Sequence, residues 1–285
     1  MAHKILQGLR IVITGASQGI GKALAIEAAK KGMRVVAAAR SADLLYDLAS
    51  EVKPLSGGAL ATVIADVTDP AGREAMLQAA MENFGGVDIL VNNAGIGATG
   101  HFAEGSLETL RKIMEVNYFG LTETTRIFIP ELKKSPNAAI VNISSVAGKR
   151  GIPARADYSA SKFAVQGFSN ALRAELAKDQ IDVLVVCPGL TQTNFSKNMI
   201  EQKAKLKMDH LRGMTSSEVA LHTLKSIQTG RAEVCLTFNG ILMAFVSRFL
   251  PKLADRIARR KVLSLFKDEM AQRRLKKLDL LKAKV

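Results

Sequence analysis

Seven short apolar runs, separated by six longer amphipathic stretches, constrain this chain more than any other feature. The runs fall at 9–14, 34–39, 61–65, 88–92, 138–143, 182–187 and 233–238. The stretches fall near 19–31, 43–53, 70–84, 106–134, 158–179 and 216–229. Most runs are continuously apolar instead of alternating, as a strand covered on both faces requires. Regular β-α alternation with connections of this length implies right-handed crossovers and an α/β fold with a doubly wound parallel sheet of about seven strands. In such a sheet, ligands sit beyond the carboxyl ends of the strands.

Composition removes several classes. With 48% hydrophobic and 23% charged residues, the chain has enough apolar side chains for a core and is neither disordered nor collagen-like. Cys187 and Cys235 are the only cysteines, which excludes a disulfide scaffold and any CxxC zinc or redox motif. His3, His101, His210 and His222 lack metal-ligand spacing, so no metal is expected. Residues 1–8 leave no room for a signal-peptide core before the first strand. The apolar segment 234–250 is interrupted by Thr237, Asn239, Gly240, Ser247 and Arg248 and is too polar to span a bilayer. A reduced, cytoplasmic protein is the expectation.

The first strand runs into Thr14-Gly15-Ala16-Ser17-Gln18-Gly19-Ile20-Gly21, and a helix follows. Glycines in a strand–turn–helix setting let a diphosphate approach the helix N-terminus, where free N–H groups and the helix dipole attract negative charge. This makes the sheet Rossmann-like, although GxxxGxG spacing implies a loop one residue longer than the GxGxxG fingerprint. Nineteen residues after Gly21 comes Arg40, then Ser41, with no acid before Asp43. An acid here would hold the ribose 2′-hydroxyl of NAD; an Arg accommodates the 2′-phosphate of NADP. NADP(H) is favoured over NAD(H).

Tyr158 and Lys162 stand at i and i+4 and share a helix face, and Ser145 follows the fifth strand toward the same rim. Here the chain resembles the short-chain dehydrogenases/reductases of the TGxxxGxG and YxxxK type, over roughly residues 8 to 240. The shared pattern includes Asp66-Val67, Asn92-Asn93-Ala94-Gly95, Asn117, Ser145 thirteen residues before Tyr158, and Pro188-Gly189. The resemblance implies hydride transfer between a nicotinamide and a carbonyl/alcohol substrate, with Asn117, Ser145, Tyr158 and Lys162 as the catalytic set. Tyr158 is then the acid/base, Ser145 the hydrogen-bond donor to the substrate oxygen, Lys162 a holder of the nicotinamide ribose, and Asn117 the holder of a relay water. It further implies cofactor contacts from Gly15, Ser17, Gln18, Gly19, Ile20, Gly21, Arg40, Ser41, Asp66, Val67, Asn93, Ala94, Gly95, Tyr158, Lys162, Pro188, Gly189 and Thr191. A phenol ionises near pKa 10, about 2–3 units too high for neutral-pH work, and Lys162 with the oxidised nicotinamide is expected to bring it down. Ser144 reads as structural, and Asp157 as a helix cap.

One domain, 1–240, would combine nucleotide binding and catalysis, followed by a basic amphipathic helical extension, 241–285. Of the net charge of +14, the last 38 residues hold +9, from 13 basic and 4 acidic residues. Ile241, Leu242, Phe245, Val246, Phe249, Leu250 and Leu253 fall on one helix face. That face could cover the substrate pocket, meet a subunit, or lie on an anionic membrane with Arg256, Arg259, Arg260, Lys261, Arg273, Arg274, Lys276 and Lys277 beside it. Between 191 and 213, Phe195, Met199, Ile200, Leu206, Met208 and Leu211 suit the apolar inner face of a lid over a hydrophobic or lipid-like substrate. A homodimer or homotetramer through 106–134 and 158–179 is expected by analogy. Nucleic-acid binding is disfavoured by 3 Tyr, no Trp and no RNA-type motif. The competing reading is a nucleotide-binding regulatory or scaffold protein of the same fold with little turnover.

Overall fold

The computed structural model describes residues 3–55, 59–204, 213–267 and 270–271. Its sheet contains β1 (Arg10–Thr14), β2 (Arg34–Ala39), β3 (Ala59–Ile64), β4 (Ile89–Asn92), β5 (Ala139–Ile143), β6 (Asp182–Cys187) and β7 (Glu233–Cys235). All seven are parallel, in the order β7-β6-β5-β4-β1-β2-β3. The order reverses direction between β1 and β4, which opens a crevice at the carboxyl edge.

Period-two geometry explains the continuous apolar runs. Ile11, Ile13, Val35, Ala37, Ile89 and Val91 pack on one face, together with helices α1 (Gly19–Lys30), α2 (Ala42–Val52) and α7 (Ser216–Thr229). Their neighbours Val12, Val36, Ala38, Leu90 and Ile140 pack on the other face. There they meet α3 (Pro70–Phe84), α5 (Gly120–Leu132) and α6 (Ala156–Glu175). Asp69 caps α3 through the Ala71 N–H, with Pro70 at the first helical position, where its missing N–H costs nothing. Thr215 and Glu218 form a reciprocal capping box on α7.

Four elements depart from the sequence reading. The stretch 106–134 is two helices, α4 (Leu107–Met114) and α5, joined by a π-helical turn over Glu115–Phe119. The last strand stops at Cys235, because Thr237 takes φ +76° and caps α8 (Phe238–Phe249) through the Gly240 N–H. The tail helix breaks at Leu250, where Pro251 cannot continue α8 and instead begins α9 (Pro251–Leu265). Helix α6 begins at Ala156 with Arg155 as its N-cap, so Asp157 lies in the first turn and is not the cap.

Two polar links hold the layers in register. Asn92 donates from Nδ2 to Thr125 Oγ1 and Asn142 Oδ1, each at 2.9 Å, and Asn142 donates to Ser169 Oγ at 2.9 Å. This buried chain joins β4 and β5 to α5 and α6. At the other edge, Asp88 accepts from Arg10 N (2.8 Å), Nε (2.9 Å) and Nη2 (2.7 Å), and from Ser135 Oγ. Burial alone would raise the Asp88 carboxyl, but the bonds from Arg10 and Ser135 outweigh it and hold the group below its ordinary value. Its stabilising contribution is therefore present above about pH 4 and is lost as the pH falls through the lowered native value. Asp88→Ala leaves the Arg10 charge and the Ser135 hydroxyl without their acceptor and should cost about 3 kcal/mol at pH 7. In urea melts, the difference from the parent protein should shrink as the pH is lowered toward 3.

Candidate active site

The loop after β1 is shaped by glycines whose missing side chains are space the backbone already uses. A Cβ on Gly15 would lie 2.8 Å from Ala94 Cα, and one on Gly21 would lie 2.3 Å from the Gly15 carbonyl oxygen. Gly15 and Gly19 take φ of +65° and +59°, where glycine carries no steric penalty. Thr14 Oγ1 fastens the loop to its neighbour, accepting from Asn93 N (3.0 Å) and Ala94 N (3.1 Å); Asn93 Nδ2 returns a bond to Thr14 O at 2.9 Å. Helix α1 then opens with no side-chain cap bond from Gln18 and no acid in its first turn. Its first N–H groups and dipole thus face the crevice, which is the arrangement a diphosphate needs.

The crevice is a cleft of about 310 Å³ lined by residues from six strand ends. Gly15, Ser17, Gln18, Gly19 and Ile20 floor one end, with Arg40, Ser41, Asp66 and Val67 beside them. Asn93, Ala94 and Gly95 form the middle; Ser145, Tyr158, Lys162, Pro188, Gly189 and Thr191 close the other end. Two of the residues read from sequence lie behind the lining instead: Gly21, under the loop, and Asn117, under Gly95.

At the first end, Arg40 is two-thirds exposed and its Nη1 lies 3.6 Å from Asp66 Oδ2. Burial works to raise the Asp66 carboxyl, but bonds from Thr68 N (2.9 Å) and Thr68 Oγ1 (2.8 Å), with the Arg40 charge, bring it below its ordinary value. Asp66 is therefore a carboxylate acceptor at neutral pH, beside a guanidinium free to turn toward an anion.

At the other end, Tyr158 and Lys162 stand one turn apart on α6 and are both buried. Lys162 Nζ donates to Ile143 O at 2.9 Å and lies 5.8 Å from the Tyr158 ring centroid, leaving two donors for a ligand in the cleft it lines. Burial pushes the Lys162 ammonium down to about 8, partly opposed by Cys187. Burial likewise pushes the Tyr158 phenol above its ordinary value, against the Arg155 charge and a hydrogen bond with Ser145. The expected lowering by Lys162 is not present in the protein itself. The cation against the ring is Arg155, with Cζ 4.5 Å from the ring centroid, while Lys162 is drawn to a main-chain carbonyl. Ser145 also accepts from Ala147 N at 3.1 Å, whereas Ser144 donates to Lys162 O at 3.2 Å and is turned into the fold.

Asn117 owes its position to the π turn, which commonly marks a functional place in a helix. Its Oδ1 accepts from Ile96 N (2.8 Å), and its Nδ2 donates to Ile96 O (2.9 Å) and Ser161 Oγ (3.0 Å). Both side-chain donors are thus used, and the group clamps the strand-four loop to α6. Arg155 escaped the sequence reading; the signal available was a basic residue three positions before the tyrosine. Phe195, read as part of a lid, lies 5.7 Å from the Tyr158 ring and lines the cleft. Met199 is buried and Ile200 partly exposed, while Leu206, Met208, Leu211 and His210 lie outside the described residues. Among the described residues, no group of three His, Cys, Asp or Glu side chains could hold a metal ion.

A glycine-bedded cleft at a sheet reversal, ending on Ser145 and the buried Tyr158 and Lys162, has the parts that a dinucleotide-dependent oxidoreductase needs. Residues 10–204 match the family model described as short chain dehydrogenase, and the chain belongs to this family of nicotinamide-dependent oxidoreductases. It is 33% identical over 260 residues to the mouse protein "Dehydrogenase/reductase SDR family member 7B" (Mus musculus), covering 88% of this chain and 80% of the other. It is also 33% identical over 279 residues to "Ketoacyl reductase HetN" of Nostoc sp., covering 95% of both. Among solved structures, a short-chain dehydrogenase/reductase from Burkholderia phymatum in complex with NAD aligns with TM-score 0.78 at 26% identity, over 88% of this chain and 96% of that one. An alcohol dehydrogenase from the archaeon Thermococcus sibiricus, complexed with 5-hydroxy-NADP, aligns with TM-score 0.71 at 28% identity, over 81% and 96%.

Asn117→Ala would leave the Ile96 N–H and carbonyl and the Ser161 hydroxyl to find other partners. The expected cost is about 2 kcal/mol in thermal unfolding, with hydrogen-exchange protection lost at the Ile96 amide and retained at Ile13.

Proposed function

We propose that the protein transfers hydride between NADP(H) and a hydrophobic carbonyl/alcohol substrate. The observation that carries this reading is the buried Tyr158, whose phenol hydrogen-bonds with Ser145 and whose ring has the Arg155 guanidinium 4.5 Å and the Lys162 ammonium 5.8 Å from its centroid, at one end of the cleft. When bound, the cofactor supplies or accepts the hydride at nicotinamide C4. Tyr158 then gives a proton to the substrate oxygen, or takes one from it, and Ser145 donates a hydrogen bond to the charge developing there. Lys162 uses its two remaining donors on the nicotinamide ribose and returns protons to Tyr158. Asn117 acts as a positioning residue that holds Ile96 and Ser161 beside that pair. Positive charge near the phenol favours its ionised form, so a cationic ring and Arg155 together work against burial.

Cofactor choice rests on Arg40. No acid stands at the end of β2 to hold a ribose 2′-hydroxyl, and a guanidinium pairs well with a phosphate. Ser41 adds a hydroxyl, Asp66 an acceptor for the adenine amino group, Pro188, Gly189 and Thr191 a frame for the carboxamide. Ile96, Leu190 and Phe195 line the cleft, which suits an apolar substrate. A relative named for ketoacyl reduction supports a carbonyl borne on an acyl chain. Phe119, on the π turn, and Phe163, on α6, are each 45% exposed, and this supports self-association through those helices. A binding-only scaffold protein would need neither Tyr158 nor Ser145 in the cleft.

Tyr158→Phe removes only the transferable proton. Turnover should fall by about 10²–10⁴-fold while the NADPH dissociation constant stays nearly unchanged; substantial residual turnover would reject the acid/base role. Arg40→Ala should weaken NADPH by about 10–100-fold and NADH hardly at all, measured by fluorescence titration. Equal losses for the two cofactors would reject the phosphate contact.

A further inference from the structure

The two C-terminal helices present an unusual surface. Along α8, Phe238, Ile241, Phe245 and Phe249 recur every three or four residues with Leu242 beside them, and all five are exposed, Phe238 by 78% and Phe249 by 61%. The stripe continues through Leu250 to Leu253 and Ile257 at the start of α9. Single exposed apolar residues are ordinary; a contiguous aromatic and aliphatic stripe over two helices marks a surface with a partner. Beside it stand Arg248, Lys252, Arg256, Arg259, Arg260 and Lys261, also exposed. The acid within this segment, Asp255, is paired with Arg150 at 2.6 Å.

From this juxtaposition we propose that α8 and α9 form a docking surface for an anionic phospholipid bilayer, lying in its interface with the apolar stripe inserted and the basic side chains at the headgroups. Charge decides between this partner and a second copy of the chain. Pairing two such faces would set one polybasic row against another, whereas an anionic leaflet neutralises it. Length decides how the surface engages: α8 and α9 have 12 and 15 residues and are broken at Leu250–Pro251. Among the described residues, no helix is long and apolar enough to cross a membrane, so the pair lies on the bilayer.

Its position gives the contact a purpose. A Cβ on Gly240 in α8 would lie 2.7 Å from Val146 Cγ1, in the turn next to Ser145, and Asp255 reaches Arg150 just beyond that turn. Phe266, after α9, meets the His101 ring at 4.7 Å between centroids. The extension therefore flanks the Ser145 and Tyr158 end of the cleft, and docking would bring that end near the lipid phase.

Flotation of the full chain with vesicles of phosphatidylcholine alone, or with 30% phosphatidylglycerol (on the order of a bacterial or cytoplasmic-leaflet charge), tests the proposal. The protein should float with the anionic vesicles, remain below with the neutral ones, and dissociate in high salt. Phe245→Asp with Phe249→Asp should lower vesicle partition by at least about tenfold. Arg256→Glu, Arg259→Glu and Arg260→Glu together should abolish the preference for anionic lipid. Melting temperature and turnover of a water-soluble ketone should be unchanged in each, because none of these side chains lies in the cleft. Failure of the parent protein to float, equal flotation of the variants, or halving of the solution mass by the Phe substitutions without an effect on flotation would each overturn the assignment.

Discussion

Both faces of the parallel sheet are dry along its central strands, and this constraint governs the rest of the molecule. Ile11, Val12 and Ile13 are fully buried in succession, as are Ile89, Leu90 and Val91, so no polar chemistry can be staged along the strands. It is displaced to the carboxyl edge, where each chain segment must leave the sheet. The reversal of strand order between β1 and β4 opens that edge into a cleft, and the glycines of the first turn keep it open at its narrowest approach.

The helices that carry the reactive groups are joined to that edge by hydrogen bonds as well as by apolar packing. Asn92 and Asn142, side by side on neighbouring strands, reach Thr125 on α5 and Ser169 on α6. Asn117 completes the attachment higher up by holding Ile96 and Ser161. A π turn places that asparagine against the loop and is the local distortion that allows one helix to serve both core and site. The side-chain amide donors of Asn92, Asn142 and Asn117 each reach an acceptor on another element, which ties the strands and the loop to α5 and α6.

Burial has opposite consequences for the two ionisable groups of α6. It lowers the basicity of Lys162 to about 8 and raises the phenol of Tyr158, so both are biased toward their neutral forms. Arg155 partly offsets this from above the ring, and its contribution depends on the chain entering α6 by way of Ala154, at φ +59°. The pair is thereby responsive to charge arriving in the cleft.

Much of this was legible in the residues themselves. Apolar runs separated by amphipathic stretches specify the layered sheet, glycine spacing specifies the tight turn after β1, and the four-residue spacing of Tyr158 and Lys162 puts both on one face of α6, because each depends on contacts within a few residues or on one repeating period. The break at Pro251 was legible too but was hidden by an apolar stripe that continues through it. Long-range neighbours decided the remainder. The π turn at Asn117, the bonds by which that asparagine joins Ile96 to Ser161, and the guanidinium of Arg155 over the tyrosine ring depend on segments twenty or more positions apart or on the local path of the chain into α6. Sequence periodicity reports which face of an element is dry; only the assembled fold decides which side chain stands next to another across the gap.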